Sequence, residues 1–158
     1  MSTINKTNAA RLLHSKNINY ELIKYEVDES DLSAASVAAK LNQDTDQVFK
    51  TLVLRGDKSG VFVCVIPGGK ELDLKKAARI SGNKSSVMVP VKEILDLTGY
   101  IRGGCSPIGM KKKYPTYIDE SCKLFDHIFV SAGMRGSQLK MNPEDLADVT
   151  GGEICALI

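Results

Sequence analysis

Two apolar runs joined by a short polar segment constrain the fold of this chain more than any other feature of its sequence. Residues 51–54 and 61–66 are rich in valine, leucine and isoleucine, and Arg-Gly-Asp-Lys-Ser-Gly at 55–60 connects them. Runs of this kind bounded by glycine and small polar residues are typical of β-hairpins. Pro-Gly-Gly at 67–69 then ends the second strand. The sequence therefore predicts a β-hairpin over residues 51–66.

Helical and strand patterns alternate irregularly over the rest of the chain. Apolar residues recurring every three or four positions predict helices, whose ends are marked by capping residues, proline and glycine. The predicted helices run from a cap at Asn5 or Thr7 to Asn17, over 33–41, over 73–80, from Pro90 to Gly99 with Val91, Ile94 and Leu95 buried, and from a cap at Asn142. The other predicted strands are 18–25, 87–89, 116–118, 128–130 and 153–158, with glycine loops at 103–109 and 131–136. About seven strands and four or five helices in this order predict one mixed α/β domain rather than a doubly wound sheet.

Length and composition set the class of protein. A chain of 158 residues and 17.2 kDa is the size of one domain, and its 43% apolar and 25% charged residues exclude a disordered, collagen-like or membrane-spanning protein. The N-terminus lacks the apolar region of a signal peptide. The four cysteines match neither a zinc-ligand spacing nor a CxxC motif: Cys64, Cys105, Cys122 and Cys155. We expect a cytoplasmic protein with free thiols, no metal and no other cofactor.

The net charge of +2 conceals an uneven distribution. Residues 1–69 are balanced, residues 70–113 hold ten Lys and Arg against four Asp and Glu, and residues 114–158 hold three against seven. The middle segment is therefore a candidate phosphate-facing patch. Runs of charge are also common on ordinary solvated surfaces, so the charge pattern leaves both interpretations open.

Neither a serine nor a cysteine nucleophile is well supported. Ser106 lies in Gly-Cys-Ser-Pro-Ile-Gly, which is one residue too long for the elbow G-x-S-x-G, and Pro107 has no N–H to offer an oxyanion. Cys105 would need a histidine base. The chain has only His14, at a polar helix end, and His127, at the start of a strand. We therefore do not expect a catalytic triad.

Two other features can stabilise negative charge without a protein nucleophile. Gly103 and Gly104 allow a ligand to approach the backbone, where their N–H groups would hold a developing oxyanion; the alternative is an ordinary tight turn. Lys50 stands at the start of an apolar strand, so its ammonium group either reaches the rim or faces a pocket. A lysine facing a pocket can pair with a phosphate or polarise a carbonyl.

Five short motifs, taken in order, resemble the YbaK/EbsC family. They are Val-Phe-Lys-Thr-Leu at 48–52, Glu-Leu-Asp-Leu-Lys-Lys at 71–76, Thr-Gly-Tyr at 98–100, Gly-Gly-Cys-Ser-Pro-Ile-Gly at 103–109 and Val-Ser-Ala-Gly-Met-Arg-Gly at 130–136. The family consists of aminoacyl-tRNA deacylases and is similar to the editing domain inserted in bacterial prolyl-tRNA synthetases. The resemblance extends from the first helix to about Ala147, and it implies a mixed, barrel-like β-sheet surrounded by short helices.

The resemblance also implies which residues form the site. Lys50 would position the aminoacyl ester or the terminal adenosine, and Thr51 would line the pocket. The backbone of Gly103 and Gly104 would hold the scissile carbonyl. The other implied substrate contacts are Ser106 and Pro107 in the same loop, Ser131 and Gly133 in the second glycine turn, and Tyr25 after the first strand.

Two positions depart from the family pattern and bear on substrate choice: Ala132 stands in place of a glycine and Gln138 in place of an aspartate. The resemblance implies hydrolysis of mischarged aminoacyl-tRNA, with Cys-tRNA(Pro) as the expected substrate. A cysteinyl ester carries its own thiol, so it can be cleaved through a cyclic thioester without a protein nucleophile. Another amino acid would need a positioned water molecule.

The implied partners are the acceptor end of tRNA(Pro) and prolyl-tRNA synthetase. The basic residues expected to contact acceptor-stem phosphates are Lys75, Lys76, Arg79, Lys111, Lys112 and Lys113. Two other functions stay open at this point. One is a non-catalytic protein that binds the tRNA acceptor end or prolyl-tRNA synthetase, and the other is a regulatory domain that binds a small molecule and ignores RNA.

Overall fold

A computed structural model describes residues 7–158, which form five α-helices and eight β-strands. The helices are α1 (Asn8–Ser15), α2 (Ala34–Leu41), α3 (Leu74–Ile80), α4 (Val91–Thr98) and α5 (Pro143–Thr150). The strands are β1 (Glu21–Lys24), β2 (Phe49–Gly56), β3 (Gly60–Pro67), β4 (Ser86–Met88), β5 (Thr116–Asp119), β6 (Ile128–Ser131), β7 (Ser137–Met141) and β8 (Glu153–Cys155). Thr7 caps α1 by accepting the Ala10 N–H, whereas Asn5, the alternative cap, lies outside the described residues. None of these helices is long and apolar enough to cross a membrane.

The strands form two sheets, whose backbones pair with each other at one isolated bridge. The larger sheet has the order β4-β2-β3-β5-β8 and the smaller one the order β1-β7-β6. A parallel bridge between Val48, just before β2, and Phe129 in β6 joins them. This arrangement confirms the predicted mixed α/β fold. Within residues 7–158 the two sheets remain open and do not close into one continuous barrel.

The predicted hairpin is confirmed as the centre of the larger sheet. β2 and β3 pair antiparallel along their whole length. Alternate side chains of β3 point into different cores: Val63 and Val65 pack between the two sheets, whereas Phe62, Cys64 and Ile66 pack under α3. Burial on both faces is the reason that β3 is an uninterrupted apolar run.

The sequence patterns did not predict β7, although it is the central strand of the smaller sheet. β7 pairs with β1 on one side and β6 on the other. Its sequence, Ser-Gln-Leu-Lys-Met, lacks the β-branched residues that indicate a strand. Tertiary packing supplies the missing stabilisation, because Leu139 and Met141 are fully buried in the main core.

The predicted burial of Val91 and Leu95 in α4 is wrong. These side chains are 56% and 52% exposed, respectively. α4 instead contacts the sheet through other residues, since Glu93 pairs with Arg55 of β2 at 2.9 Å and Thr98 is buried at the helix end. Amphipathic spacing identifies an apolar face but cannot identify the side of the helix that packs.

Candidate active site

One cavity of about 590 Å³ opens where the two sheets meet. Its walls come from three parts of the chain that are distant in sequence. They are residues 30–35 leading into α2, residues 48–52 at the start of β2, and Arg102, Gly103 and Cys105 of the glycine loop, with Gly68, Ser131 and Gln138 between them. The cavity therefore brings together the two features, Lys50 and the glycine loop, that the sequence singled out.

Lys50 faces this cavity. Its Nζ donates a hydrogen bond to the Gly68 carbonyl at 3.2 Å, and the residue is only partly exposed. The close approach of Gly68 depends on its lack of a side chain, because an added Cβ would lie 2.2 Å from the Ala34 Cβ and 2.9 Å from the Val48 carbonyl oxygen. The structure thus decides between the two sequence interpretations in favour of a pocket-facing lysine.

Two buried polar atoms, which belong to residues that line the cavity, have no hydrogen-bond partner among the described residues. They are Thr51 Oγ1 and Gln138 Oε1, and both residues line the cavity beside Lys50. Leaving a buried acceptor unsatisfied costs about 1–3 kcal/mol, so such groups persist where a ligand or water completes them. Together with Lys50 they suit a polar ligand that offers both hydrogen-bond donors and a partial negative charge.

The glycine loop contributes backbone to the cavity, but only one of its two adjacent glycines lines it. Gly103 has a φ of +82° and lines the cavity. The N–H of Gly104 instead donates to the Ile101 carbonyl at 2.9 Å within the turn. The Gly104 amide is therefore engaged within the turn, and the expected role of both glycines in holding the ester stays a prediction. Within residues 7–158, the N–H groups of Gly103 and Cys105, which both line the cavity, have no backbone acceptor.

The structure places Ser106 and Pro107 away from the main cavity, and their expected role as substrate contacts stays a prediction. Both are buried and neither lines the main cavity. Ser106 Oγ accepts the Ile108 N–H at 3.2 Å, so this hydroxyl stabilises the loop. Pro107 lines a separate cavity of about 240 Å³ together with Lys112 and Lys113.

The three predicted contacts in the second glycine turn and at Tyr25 also lie partly at the main cavity and partly outside it. Ser131 lines the main cavity, and its Oγ accepts the Gly133 N–H at 3.2 Å. Gly133 faces inward, since an added Cβ would lie 2.7 Å from Tyr100 Cε1. Tyr25 borders a narrow cleft beside Gly103 rather than the main cavity. Of these three predicted contacts, Ser131 alone lines the main cavity.

Cys105 lines the cavity but is not set up as a nucleophile. Burial raises the pKa of its thiol to about 11, so the thiol is neutral near pH 7. His14 and His127 are exposed, and neither lines the cavity. The described residues also contain no group of three or more His, Cys, Asp or Glu side chains arranged to hold a metal ion.

The two basic groups of the middle segment lie on opposite faces of the larger sheet. Lys75, Lys76 and Arg79 belong to α3, which covers the second core, and Lys76 Nζ donates to the carbonyl of Ile158. Residues 111–113 lie on the side of the main core, where two of them line the smaller cavity. The two groups therefore do not form one continuous patch, and their contacts with tRNA phosphates stay a prediction. Alternation along β2 places Lys50 on the α3 side, with Leu52 and Leu54.

Comparison with known proteins identifies the family. Residues 28–149 match the aminoacyl-tRNA editing domain. The chain is 46% identical over 155 residues to an Enterococcus faecalis protein provisionally named Cys-tRNA(Pro)/Cys-tRNA(Cys) deacylase EbsC, covering 98% of this chain and 94% of that protein. It is 33% identical over 76 residues to a proline–tRNA ligase of Thermosipho africanus, covering 48% of this chain and 13% of the ligase.

A solved structure agrees in fold. It is described provisionally as a trans-editing enzyme for prolyl-tRNA synthetase, and it superposes with a TM-score of 0.83 at 25% identity, covering 98% of each chain. The family match spans most of the sequence, and the 46% identity to the Enterococcus protein extends over nearly all of it. This chain therefore belongs to the aminoacyl-tRNA editing domain family.

Proposed function

We propose that this protein is a free-standing hydrolase that cleaves the ester bond of mischarged aminoacyl-tRNA, with Cys-tRNA(Pro) as the first substrate. Membership of the editing-domain family and the name of the Enterococcus relative support the reaction class. The observation that carries the proposal is the cavity itself. It combines an oriented lysine, two loop N–H groups without a backbone acceptor and two buried oxygens without a partner, the last two counted within residues 7–158.

The size of the cavity suits the end of a charged tRNA. Small-molecule sites usually measure about 300–1,000 Å³. At about 590 Å³ the cavity has room for an aminoacyl group and part of the terminal nucleoside, while the rest of the tRNA would lie on the surface. The acceptor end of tRNA(Pro) is accordingly the part of the partner that enters the protein. We place the activity in the cytoplasm, with prolyl-tRNA synthetase as a second partner.

The chemistry requires orientation more than a protein nucleophile. An aminoacyl ester is already activated, and negative charge develops on its carbonyl oxygen during attack. The Lys50 ammonium and the N–H groups of Gly103 and Cys105 are the groups that would stabilise this charge. The bound conformation brings the attacking atom close to the carbonyl carbon, which accounts for a further part of the rate.

For a cysteinyl ester the attacking atom is the substrate's own sulfur. The sulfur forms a bond to the carbonyl carbon, the carbon–oxygen bond to the ribose breaks, and the thiol proton passes to the released ribose oxygen. A cyclic thioester leaves and is hydrolysed by water. The neutral thiol of Cys105 plays no nucleophilic part in this scheme. Other amino acids would depend on a water molecule in the same position.

Deacylation of tRNA(Pro) charged with Cys, Ala, Ser or Pro tests the proposal. Catalytic amounts of the protein should release cysteine from Cys-tRNA(Pro) and leave Pro-tRNA(Pro) intact. If every charged tRNA decays at its spontaneous rate while salt-sensitive tRNA binding persists, the protein is a non-catalytic acceptor-end binder. The absence of both activity and tRNA binding would favour a small-molecule regulatory domain.

A further inference from the structure

Arg135 lies outside the cavity but contacts two of the segments that form its walls. Its Nε donates to the Arg102 carbonyl at 2.9 Å, and its Nη1 donates to Glu29 Oε2 at 2.7 Å. Arg102 precedes Gly103 in the glycine loop, and Glu29 immediately precedes the wall formed by residues 30–35. One guanidinium group therefore connects two walls that are distant in sequence.

The backbone around Arg135 also packs closely against the glycine loop. An added Cβ on Gly104 would lie 3.0 Å from the Arg135 backbone nitrogen. An added Cβ on Gly103 would lie 3.2 Å from Arg135 Nε and 3.2 Å from Leu32 Cδ1. Gly103 thus lies between the guanidinium group and the segment before α2. A displacement of the guanidinium group would remove one of the contacts that limit movement of the loop.

The bond to Arg102 determines the direction of a specific amide. The carbonyl of Arg102 and the N–H of Gly103 belong to the same peptide group, which is planar and trans. Fixing the carbonyl toward Arg135 therefore points the Gly103 N–H in the opposite direction. A hydrogen bond to the carbonyl also polarises the peptide group, so the N–H becomes a stronger donor.

We propose that Arg135 is a positioning residue, which sets the direction of the Gly103 amide by holding the glycine loop and the Glu29 segment in one fixed arrangement. The kinetic consequence of this inference rests on the proposed deacylase function. The structural consequence, a rigid glycine loop, does not depend on that function. An arginine is required because two donors at fixed angles serve two acceptors, whereas a lysine carries a single point charge.

Kinetics and hydrogen exchange on three variants test the inference. Arg135→Gln and Arg135→Lys are the test variants, and Arg55→Gln is the matched control, because it breaks the comparable Arg55–Glu93 pair, whose residues do not line the cavity. Both Arg135 variants should lower kcat on Cys-tRNA(Pro) at least about fivefold, with KM within about twofold of wild type. The Gly104 amide, which its hydrogen bond to the Ile101 carbonyl protects, should exchange its hydrogen with solvent faster in both Arg135 variants. Arg55→Gln should change neither kcat nor this exchange rate.

Several results would overturn the inference. An unchanged kcat with a raised KM would mean that Arg135 binds tRNA directly, and full activity of Arg135→Lys would mean that its charge alone matters. An equal loss of kcat in Arg55→Gln would mean that the effect comes from lower overall stability.

If the wild-type protein is inactive, the proposed function fails. Unchanged hydrogen exchange at the Gly104 amide in the Arg135 variants would then refute the rigid loop by itself. Should both Arg135 variants fail to fold, Glu29→Gln takes their place: a faster Gly104 exchange supports the inference and an unchanged one contradicts it.

Discussion

At the scale of single residues, the cavity is organised around a lysine that is oriented before any ligand arrives. The Gly68 carbonyl holds the Lys50 ammonium at 3.2 Å, so binding of an ester need not immobilise a free side chain. Thr51 and Gln138 keep buried oxygens without partners in the same cavity, among the residues that the structure describes. Such groups lower the stability of the free protein, and under the proposed function the bound ester would supply their partners.

Replacing Lys50 removes a cationic group that lines the cavity. Lys50→Ala should lower kcat/KM for Cys-tRNA(Pro) at least about tenfold, because electrostatic contacts to a transition state are typically worth several kcal/mol. Lys58→Ala, in the exposed hairpin turn, is the control for loss of a positive charge and should have wild-type kinetics. If the Lys50→Ala enzyme retains a kcat/KM within a factor of two of wild type, the assigned role is contradicted.

Replacing Thr51 should affect stability and activity in opposite directions. Thr51→Val keeps the shape of the side chain but removes an unsatisfied oxygen, so the free energy of unfolding should rise by up to about 1 kcal/mol. The rate of deacylation should fall because the ligand loses a partner. Urea denaturation and kinetics on the same preparation measure both effects. A variant that is less stable and fully active would show that Thr51 only packs.

At the scale of elements, the glycine loop depends on two backbone requirements at once. Gly103 needs a positive φ, and it also has Leu32 and Arg135 in close contact. Gly82, at the end of α3, has a φ of +80° but nothing within 4 Å of an added Cβ. The two glycines therefore separate the effect of backbone conformation from the effect of crowding at the cavity.

Gly103→Ala and Gly82→Ala form a matched pair for testing the loop. Both should lose stability to a similar extent, since alanine is strained at positive φ. Only Gly103→Ala should lose deacylase activity, by at least about tenfold, because the loop must also move away from Arg135 and Leu32. Equal residual activities at equal thermal stability would show that the loop conformation has no influence on catalysis.

At the scale of the whole molecule, folding divides the basic residues of the middle segment between two faces of the larger sheet. The α3 group is on the face to which Lys50 points, and the loop group at residues 111–113 is on the other. Phosphates that continue from a ligand bound at Lys50 would meet the α3 face first. Distance along the chain would suggest the reverse, because the loop group directly follows the glycine loop.

Charge reversal on the two faces tests which one binds the acceptor stem. Lys75→Glu with Arg79→Glu should raise KM for Cys-tRNA(Pro) at least about threefold and weaken its dependence on salt, while cleavage of a minimal cysteinyl ester stays unchanged. Lys112→Glu with Lys113→Glu changes the net charge equally and should have the smaller effect on KM. The opposite ranking would place the tRNA on the loop side.

All four cysteines are at least partly buried, and their thiols should affect stability at high pH. Burial raises the pKa of Cys64 to about 12 and those of Cys105, Cys122 and Cys155 to about 11, from an ordinary 9.0. Between pH 9 and 11 the unfolded chain loses thiol protons that the folded protein retains, so the free energy of unfolding should fall as pH rises through this range. It should not vary from this cause below pH 8. Urea denaturation at pH 8, 9 and 10 measures the slope, which Cys105→Ala should reduce; an unchanged slope would contradict the burial effect.

Local chemistry was enough to predict much of the fold. The hairpin, the caps of α1 and α5 and the mixed α/β class follow from apolar periodicity and capping residues. β7 and the exposed side of α4 do not, because both depend on which neighbours happen to pack against them. The resemblance of five motifs to the YbaK/EbsC family supplied the reaction class, which periodicity alone does not contain.

By itself the sequence predicted most of the strands and helices and the family, and it indicated Lys50 and the glycine loop as candidate site features. Only the tertiary structure decided that Lys50 and Gln138 line the cavity, that Gly104 and Ser106 form hydrogen bonds within the loop, and that Arg135 contacts two of the segments that form the cavity walls. The physical reason is the range of the interactions. Helix and turn preferences act over a few neighbouring residues, whereas the cavity is formed by segments that meet only when the two sheets come together.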